Sequence, residues 1–260
     1  MTDAALDVLS ARARDPVRRA RAMKLSYGVR VFMAPGESGR VVVALGEAHL
    51  KLRRASDLGK EVVAAFDLRG VETFQARRVL AGRALRVLIH GPRVALRVLS
   101  LGAVKGSTIT DAKALPSGTT VELERVDRVP LSLHVMSVYL ATFFAVAFAY
   151  LGVGLAAWPL GAYAPWLARV GAWLQWATAA FEAHMVLLVP AYLLRQRAWA
   201  WLVHPLVALV VVRDGFMAAA TARMMSEHPG VDEAVVVMGR AHLPGFEREL
   251  VERHGFRRVG

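Results

Sequence analysis

Two stretches of this chain carry a histidine three residues beyond a glycine at the end of a valine-rich run. They are VVVALGEAHL at 41–50 and AVVVMGRAHL at 234–243, identical at six of ten positions. Each run has the pattern of a buried strand, and each glycine permits a sharp backbone exit. The histidine then falls at the carboxyl end of the strand, where ligands of open α/β sheets collect. If the two strands are neighbours, His49 and His242 converge there. Imidazole can ligate a metal or move a proton near neutral pH. Two imidazoles fill only half of a four-coordinate shell, so a metal would need carboxylates or waters besides. The plainer alternative is a coincidence of valine-rich strands, or two histidines satisfying each other in the core. The chain has no cysteine, which excludes a disulfide framework, a thiolate zinc site and a cysteine nucleophile.

The elements that must position these residues are unevenly composed. The 260 residues carry 33 Lys+Arg against 21 Asp+Glu, a net +12, yet 55% are hydrophobic. Residues 1–130 hold 23 basic and 13 acidic side chains, residues 131–212 three and one, and residues 213–260 seven of each. An almost uncharged stretch therefore separates two ordinary ones. Residues 1–24 lack the apolar core of a secretion signal and read as a basic helix. Its cluster Arg12, Arg14, Arg18, Arg19, Arg21 and Lys24 suits either anionic headgroups or a solvated face. With no aromatic interleaving, nucleic acid is excluded as a partner.

Residues 25–130 predict a hairpin, YGVRVFMA and RVVVAL joined by PGESG, then a helix capped near Ser56 or Asp57 with Leu58, Val62, Val63 and Phe66 inward. RGVETF at 69–74 predicts a strand, RRVLAGRALRVLIHG a basic helix stopped near Gly91-Pro92, and GTTVELERV a strand or helix start. This order gives an α/β or α+β domain, resumed at 213–260.

Residues 135–158 form 24 uncharged positions, about 36 Å as a helix and enough to span a bilayer. A second run, 170–194, contains Glu182, His184 and Pro190; if it spans, Glu182 should face a partner helix. A third, 198–212, is short and suits an interfacial or buried segment. The expectation for 131–212 is a transmembrane hairpin of two spans. Arg125, Arg128, Arg195, Arg197 and Arg213 would flank it on one side and Arg169 on the other, placing both polar parts on the cytoplasmic face of the cell (inner) membrane. The alternative is an all-apolar soluble core or a homodimer interface.

The ordered set of motifs resembles the TraB/PrgY/GumN family, which includes the Tiki proteins. Besides the two G-x-x-H motifs, GVETFQARR with Glu72 and Arg77 looks like the family's glutamate strand. VELERVDRVPL with Leu123-Glu124 is similar to its Leu-Glu segment. VVRDGFMA, with Arg213, Asp214 and Met217, resembles its Arg-Asp segment, and GRAHLPGFERELVERHGF its closing run. The resemblance covers roughly 25–130 and 210–258 and implies a mixed sheet related to the erythromycin-esterase and ChaN-like folds. It also implies metal-dependent peptide hydrolysis, or shutdown of a peptide pheromone. Two departures stand out: Glu47 where the family commonly has Thr, and Val212 where an acidic residue often precedes Arg213.

On this reading His49 and His242 ligate a divalent metal (Mn, Co or Zn). Glu72 is the first candidate for the third ligand or the general base, with Glu47 and Glu124 second. Arg213, entering from a polar turn, would hold a peptide carboxylate or a developing oxyanion. The competing reading makes Glu72 and Arg213 a buried ion pair and Glu124 an exposed strand-end charge. Two functions follow: a membrane-anchored metal-dependent hydrolase of peptides, or a non-catalytic membrane regulator that sequesters a peptide signal.

Overall fold

The computed structural model describes residues 6–36, 39–48, 51–73, 78–100, 104–105, 113, 115–160, 164–195, 197 and 199–259. The chain divides into an α/β unit, residues 1–74, 93–126 and 213–260, and a helical unit, residues 75–92 and 127–212.

In the α/β unit the apolar runs become adjacent strands. The elements are β1 (Tyr27–Met33), β2 (Val41–Glu47), β4 (Leu68–Val71), β6 (Thr119–Glu122), β7 (Glu233–Gly239) and β8 (Arg257–Arg258), beside a two-stranded ribbon of β3 (Lys51–Leu52) and β5 (Val104–Lys105). The sheet order is β6-β4-β7-β2-β1-β8. β6, β4, β7 and β2 run parallel, and β1 and β8 close one edge antiparallel. The fold is therefore mixed α/β around a six-stranded sheet.

Both valine runs lie in its middle, which is why they do not alternate with polar residues. Val41, Val43, Leu45, Val235 and Val237 face α1 (Ala11–Ala22) and α2 (Arg53–Ala64), which contribute Ala13, Val17, Leu58 and Val62. Val42, Ala44, Val236 and Met238 face Met217, Met224, Phe246 and Leu250 of α8 (Leu206–Glu227) and α9 (Leu243–His254). The result is three layers, with apolar side chains on both faces of the sheet.

The basic N-terminal helix proves to be part of this packing. Arg12 pairs with Asp67 at 3.2 Å, Arg19 with Glu61 at 2.7 Å, and Arg14 donates to the carbonyls of Asp7 and Leu9. Much of its charge therefore serves a solvated face docked on α2. The sequence gave no hint of Arg69, whose side chain is fully buried. Its Nε donates to the Val63 and Phe66 carbonyls and Nη1 to the Ser117 carbonyl, satisfying acceptors left over at the end of α2.

Two boundaries differ from expectation. α2 begins at Arg53, before the Ser56 and Asp57 proposed as caps, and Ser56 is buried inside it. α3 (Gly82–Leu99) continues through Gly91-Pro92, because helix-forming Arg, Ala and Leu residues resume directly beyond the proline.

In the helical unit, α4 (Leu131–Leu160) and α5 (Trp166–Met185) form an antiparallel hairpin, followed by α6 (Leu188–Leu193) and α7 (Ala200–Val203). Tyr139 and Phe143 pack edge-on against Phe181, with ring centroids 5.4 and 5.7 Å apart. The Leu206 backbone N–H donates to His204 Nδ1 at 3.2 Å, so the His204 proton sits on Nε2, facing Tyr139 Oη at 3.4 Å. Tyr139 in turn reaches His184 Nδ1 at 3.0 Å. His184 is thus a helix-pairing residue, and Glu182 is not: it is exposed, because Phe181 and His184 already occupy the face of α5 turned to α4. The run 198–212 breaks at His204-Pro205 into α7 and the first turns of α8.

Two stretches, Leu131–Ala157 and Trp166–Leu193, are long and apolar enough to cross a membrane, and only 6% of the apolar segment in each is buried inside the structure. They are therefore not the chain's own soluble core.

The close approach of β2 to the start of α9 depends on Gly46. A methyl there would strike Leu243 and stand 3.1 Å from Arg240 Cα, which is backbone and cannot turn aside. Gly46→Ala is expected to cost about 1–3 kcal/mol through overpacking. Gly230→Ala, with nothing within 4 Å, should leave stability within about 0.5 kcal/mol. Thermal midpoints of the two variants against wild type check this.

Candidate functional site

The four parallel strands end together, and each delivers a polar residue there. β2 ends in Glu47, β4 is followed by Glu72, β6 by Leu123-Glu124, and β7 by the single 3₁₀ turn Arg240–His242. In register Val71 is level with Val237 and Glu47 with Gly239. β2 and β7 are direct neighbours, but Gly46 stands opposite Met238. The two G-x-x-H motifs are therefore offset by one residue.

Each of these groups is buried: Glu47 1%, Glu72 8%, Glu124 5%, Arg213 5%, Asp214 1% and His242 5% exposed. His49 lies outside the described residues, as does Arg77. Glu47 is at the expected strand end and has an interaction partner of its own.

Arg213 organises the carboxylates. Its Nε and Nη2 donate to the two oxygens of Glu124, the latter at 2.9 Å, and Nη2 also donates to Glu72 Oε1. The second oxygen of Glu72 accepts the Gly239 backbone N–H. Glu124 is therefore an interior ion-pair partner, unlike the exposed strand-end charge of the sequence reading. Arg213 lies within α8, not in a polar turn; the run VVVRDGFMAAATARMMSE is helix throughout. Val212 does not loosen Arg213, which two glutamates hold.

The adjacent Asp214 had no role assigned from sequence. Its Oδ1 lies 2.7 Å from His242 Nδ1, and His242 Nε2 lies 3.6 Å from Glu72 Oε1. The first is a hydrogen bond; the second is too long to be one. Accepting from Nδ1–H fixes the tautomer and leaves Nε2 as the free nitrogen, aimed at the glutamate. Asp214 was legible only as the neighbour of Arg213, since its contact with His242 spans 28 positions.

Burial pushes the Glu72 carboxyl up, but Arg213, His242 and the Gly239 N–H outweigh it and hold Glu72 below its ordinary range. Burial opposes the Arg213 charge too, and Glu124 and Glu72 more than restore it. Asp214 goes the other way: burial raises it, and His242, Arg213 and Arg248 only partly offset that. Two carboxyls on opposite nitrogens of one imidazole are thus driven apart.

Among the described residues, no group of three or more His, Asp or Glu is arranged to hold a metal ion. Two donors face each other, His242 Nε2 and Glu72 Oε1. Of the other described histidines, His134 Nδ1 accepts the Leu80 N–H, and His228 Nδ1 bonds the Met224 carbonyl.

This is a three-layer α/β protein with a buried His–carboxylate–arginine cluster at the carboxyl ends of its parallel strands. In comparisons with family models, curated proteins and solved structures, nothing matches the chain.

Three variants test the cluster, two through stability and one through a proton resonance. Arg213→Met leaves two buried carboxylates without their cation and is expected to cost about 3–5 kcal/mol. For Glu72, whose folded pKa is depressed, the stabilisation is present above its ordinary value near 4.5 and is lost as pH falls through the lower folded value. The stability gap between wild type and Glu72→Gln, from denaturant melts, should be widest at neutral pH and close on acidification. In the second test, Gly245→Ala places a methyl on the Asp214 carboxylate. Loss of the downfield His242 Nδ1–H proton resonance is the expected result.

Proposed function

We propose that the chain is a membrane-anchored hydrolase of the TraB/Tiki type, acting on peptides at the carboxyl ends of β2, β4 and β7. The observation that carries this reading is the line Asp214–His242–Glu72, in which one nitrogen of the imidazole is tied to a carboxylate and the other is left free. That is how proteins orient a histidine to ligate a metal or to move a proton.

The donors present fit a divalent metal in part. His242 Nε2 would hold it, with Glu72 and His49 completing the set that the resemblance implies. When bound, such an ion supplies Lewis acidity and a water acidic enough to attack near neutral pH. The protein's own residues do the rest. Asp214 fixes the His242 ring and tautomer. Arg213 keeps Glu72 ionised, able to accept a proton or a ligand. With its Nε and Nη2 on two glutamates, Arg213 is better suited to organising the site than to gripping a substrate carboxylate.

The anchor is α4 with α5. β2 and β7 lie on either side of the insert in sequence yet pair directly, so the segment between them must cross a bilayer an even number of times. Two apolar helices meet that parity. The arginines flanking them favour the cytoplasmic side of the cell membrane for the sheet.

The test is metal content and peptide turnover of the full-length protein after supplementation with manganese, cobalt or zinc, beside His49→Ala, His242→Ala and Asp214→Asn. About one metal per chain, lost in both histidine variants and weakened about 10–100-fold in Asp214→Asn, is the expected result. Hydrolysis surviving in both histidine variants overturns the reading. Peptide binding without cleavage would make the protein a regulator that sequesters its ligand.

A further inference from the structure

α3 carries a row of exposed apolar side chains. Leu80, just before the helix, and Val87, Val94 and Val98 within it are 77%, 71%, 61% and 68% exposed. Spaced seven, seven and four residues apart, they lie along one side of the helix. Leu85, on the opposite side, is 2% exposed. Exposed Arg83 and Arg86 lie along one side of the stripe.

The surrounding sequence is one-sided in charge. Between Thr73 and Thr110 stand Arg77, Arg78, Arg83, Arg86, Arg93, Arg97 and Lys105, with no Asp or Glu. A helix that faced water alone would gain nothing from a row of valines. A helix seated against a protein partner would ordinarily mix charge signs at its rim. An apolar stripe flanked by arginine alone fits a surface that is apolar below and negative above.

We infer that α3 lies in the plane of the membrane surface, its valine stripe in the boundary between headgroups and acyl chains and its arginines on anionic phospholipid headgroups. The inference rests on the anchored reading of α4 and α5. It adds a second, composition-dependent membrane contact outside the hairpin.

Because the chain has no cysteine, single nitroxide labels can be placed without background. Full-length protein carrying Val87→Cys, Val94→Cys or, within α4, Phe148→Cys is reconstituted into phosphatidylcholine vesicles with and without phosphatidylglycerol. Accessibility to oxygen and to an aqueous nickel complex then gives the depth of each label. With phosphatidylglycerol, labels at 87 and 94 should sit about 5–10 Å below the headgroups. Arg83→Gln and Arg86→Gln should each shift the label's partition towards water by about fivefold. Labels at 87 and 94 in water while 148 is in lipid would overturn the inference and leave the anchor standing. A label at 148 also in water would overturn both. Protection at 87 and 94 that persists without anionic lipid and brings spin–spin broadening between chains would assign the stripe to a second copy, again overturning it.

Discussion

The parallel pairing of β2 with β7 is the constraint on which the rest of the structure depends. It joins Val41–Glu47 to Glu233–Gly239 across more than two thirds of the chain, so the chain between them, which supplies β4 and β6 to the same sheet, must come back to it after the apolar helices. Loop closure over such a distance carries an entropic cost that grows only logarithmically with length, which is why an insert of this size is compatible with a continuous sheet. A central parallel strand must be covered on both faces, and this explains the uninterrupted valine runs and the helical layers on each side. On its other side β7 pairs with β4, which brings Glu72 to the same end of the sheet as Gly239 and His242.

At that end the structure concentrates charge where it is expensive. Three glutamates, an aspartate, an arginine and a histidine are all at least nine-tenths buried. Such groups persist only when each is neutralised or hydrogen-bonded, because an unpaired buried ion costs several kcal/mol. Arg213 meets this requirement by bridging Glu72 and Glu124, and the Gly239 N–H takes the remaining oxygen of Glu72. A buried network of this kind is weak evidence of stabilisation, since well-packed apolar residues often do as well. Its presence in place of a hydrophobic plug therefore points to use. Gly245 reinforces that view, for its missing side chain is the space the Asp214 carboxylate occupies.

Much of this was legible because it is local. The hairpin β1–β2, the inward face of α2 and the buried character of β2 and β7 follow from apolar periodicity and turn residues read over a few positions, whereas the pairing of β2 with β7 entered only as a condition. What failed to show depends on distant partners. Glu124 reads as a strand-end charge until Arg213, 89 positions away, is known to reach it. Glu182 reads as a buried charge needing a partner until Phe181 and His184 are seen to take the facing side of α5. Asp214 has no periodicity or motif spacing linking it to His242. Pro92 signals a stop, yet the helix-forming residues beyond it carry α3 on. Single residues whose roles are set by tertiary contacts leave no trace in sequence spacing.

The placement of His242 then narrows what the cluster can do. Its two nitrogens face carboxyls that burial and charge have moved in opposite directions, Asp214 upward and Glu72 downward. Paired groups separated in this way are the usual arrangement in sites that transfer protons, where one must hold its proton more readily than the other. At 3.6 Å the Nε2 of His242 makes no direct hydrogen bond to Glu72, yet the imidazole lies close enough for its charge to help hold that carboxyl down. His242 Nε2 and Glu72 Oε1 thus face each other without a direct hydrogen bond, and it is on this pair of donors that the proposed chemistry would rest.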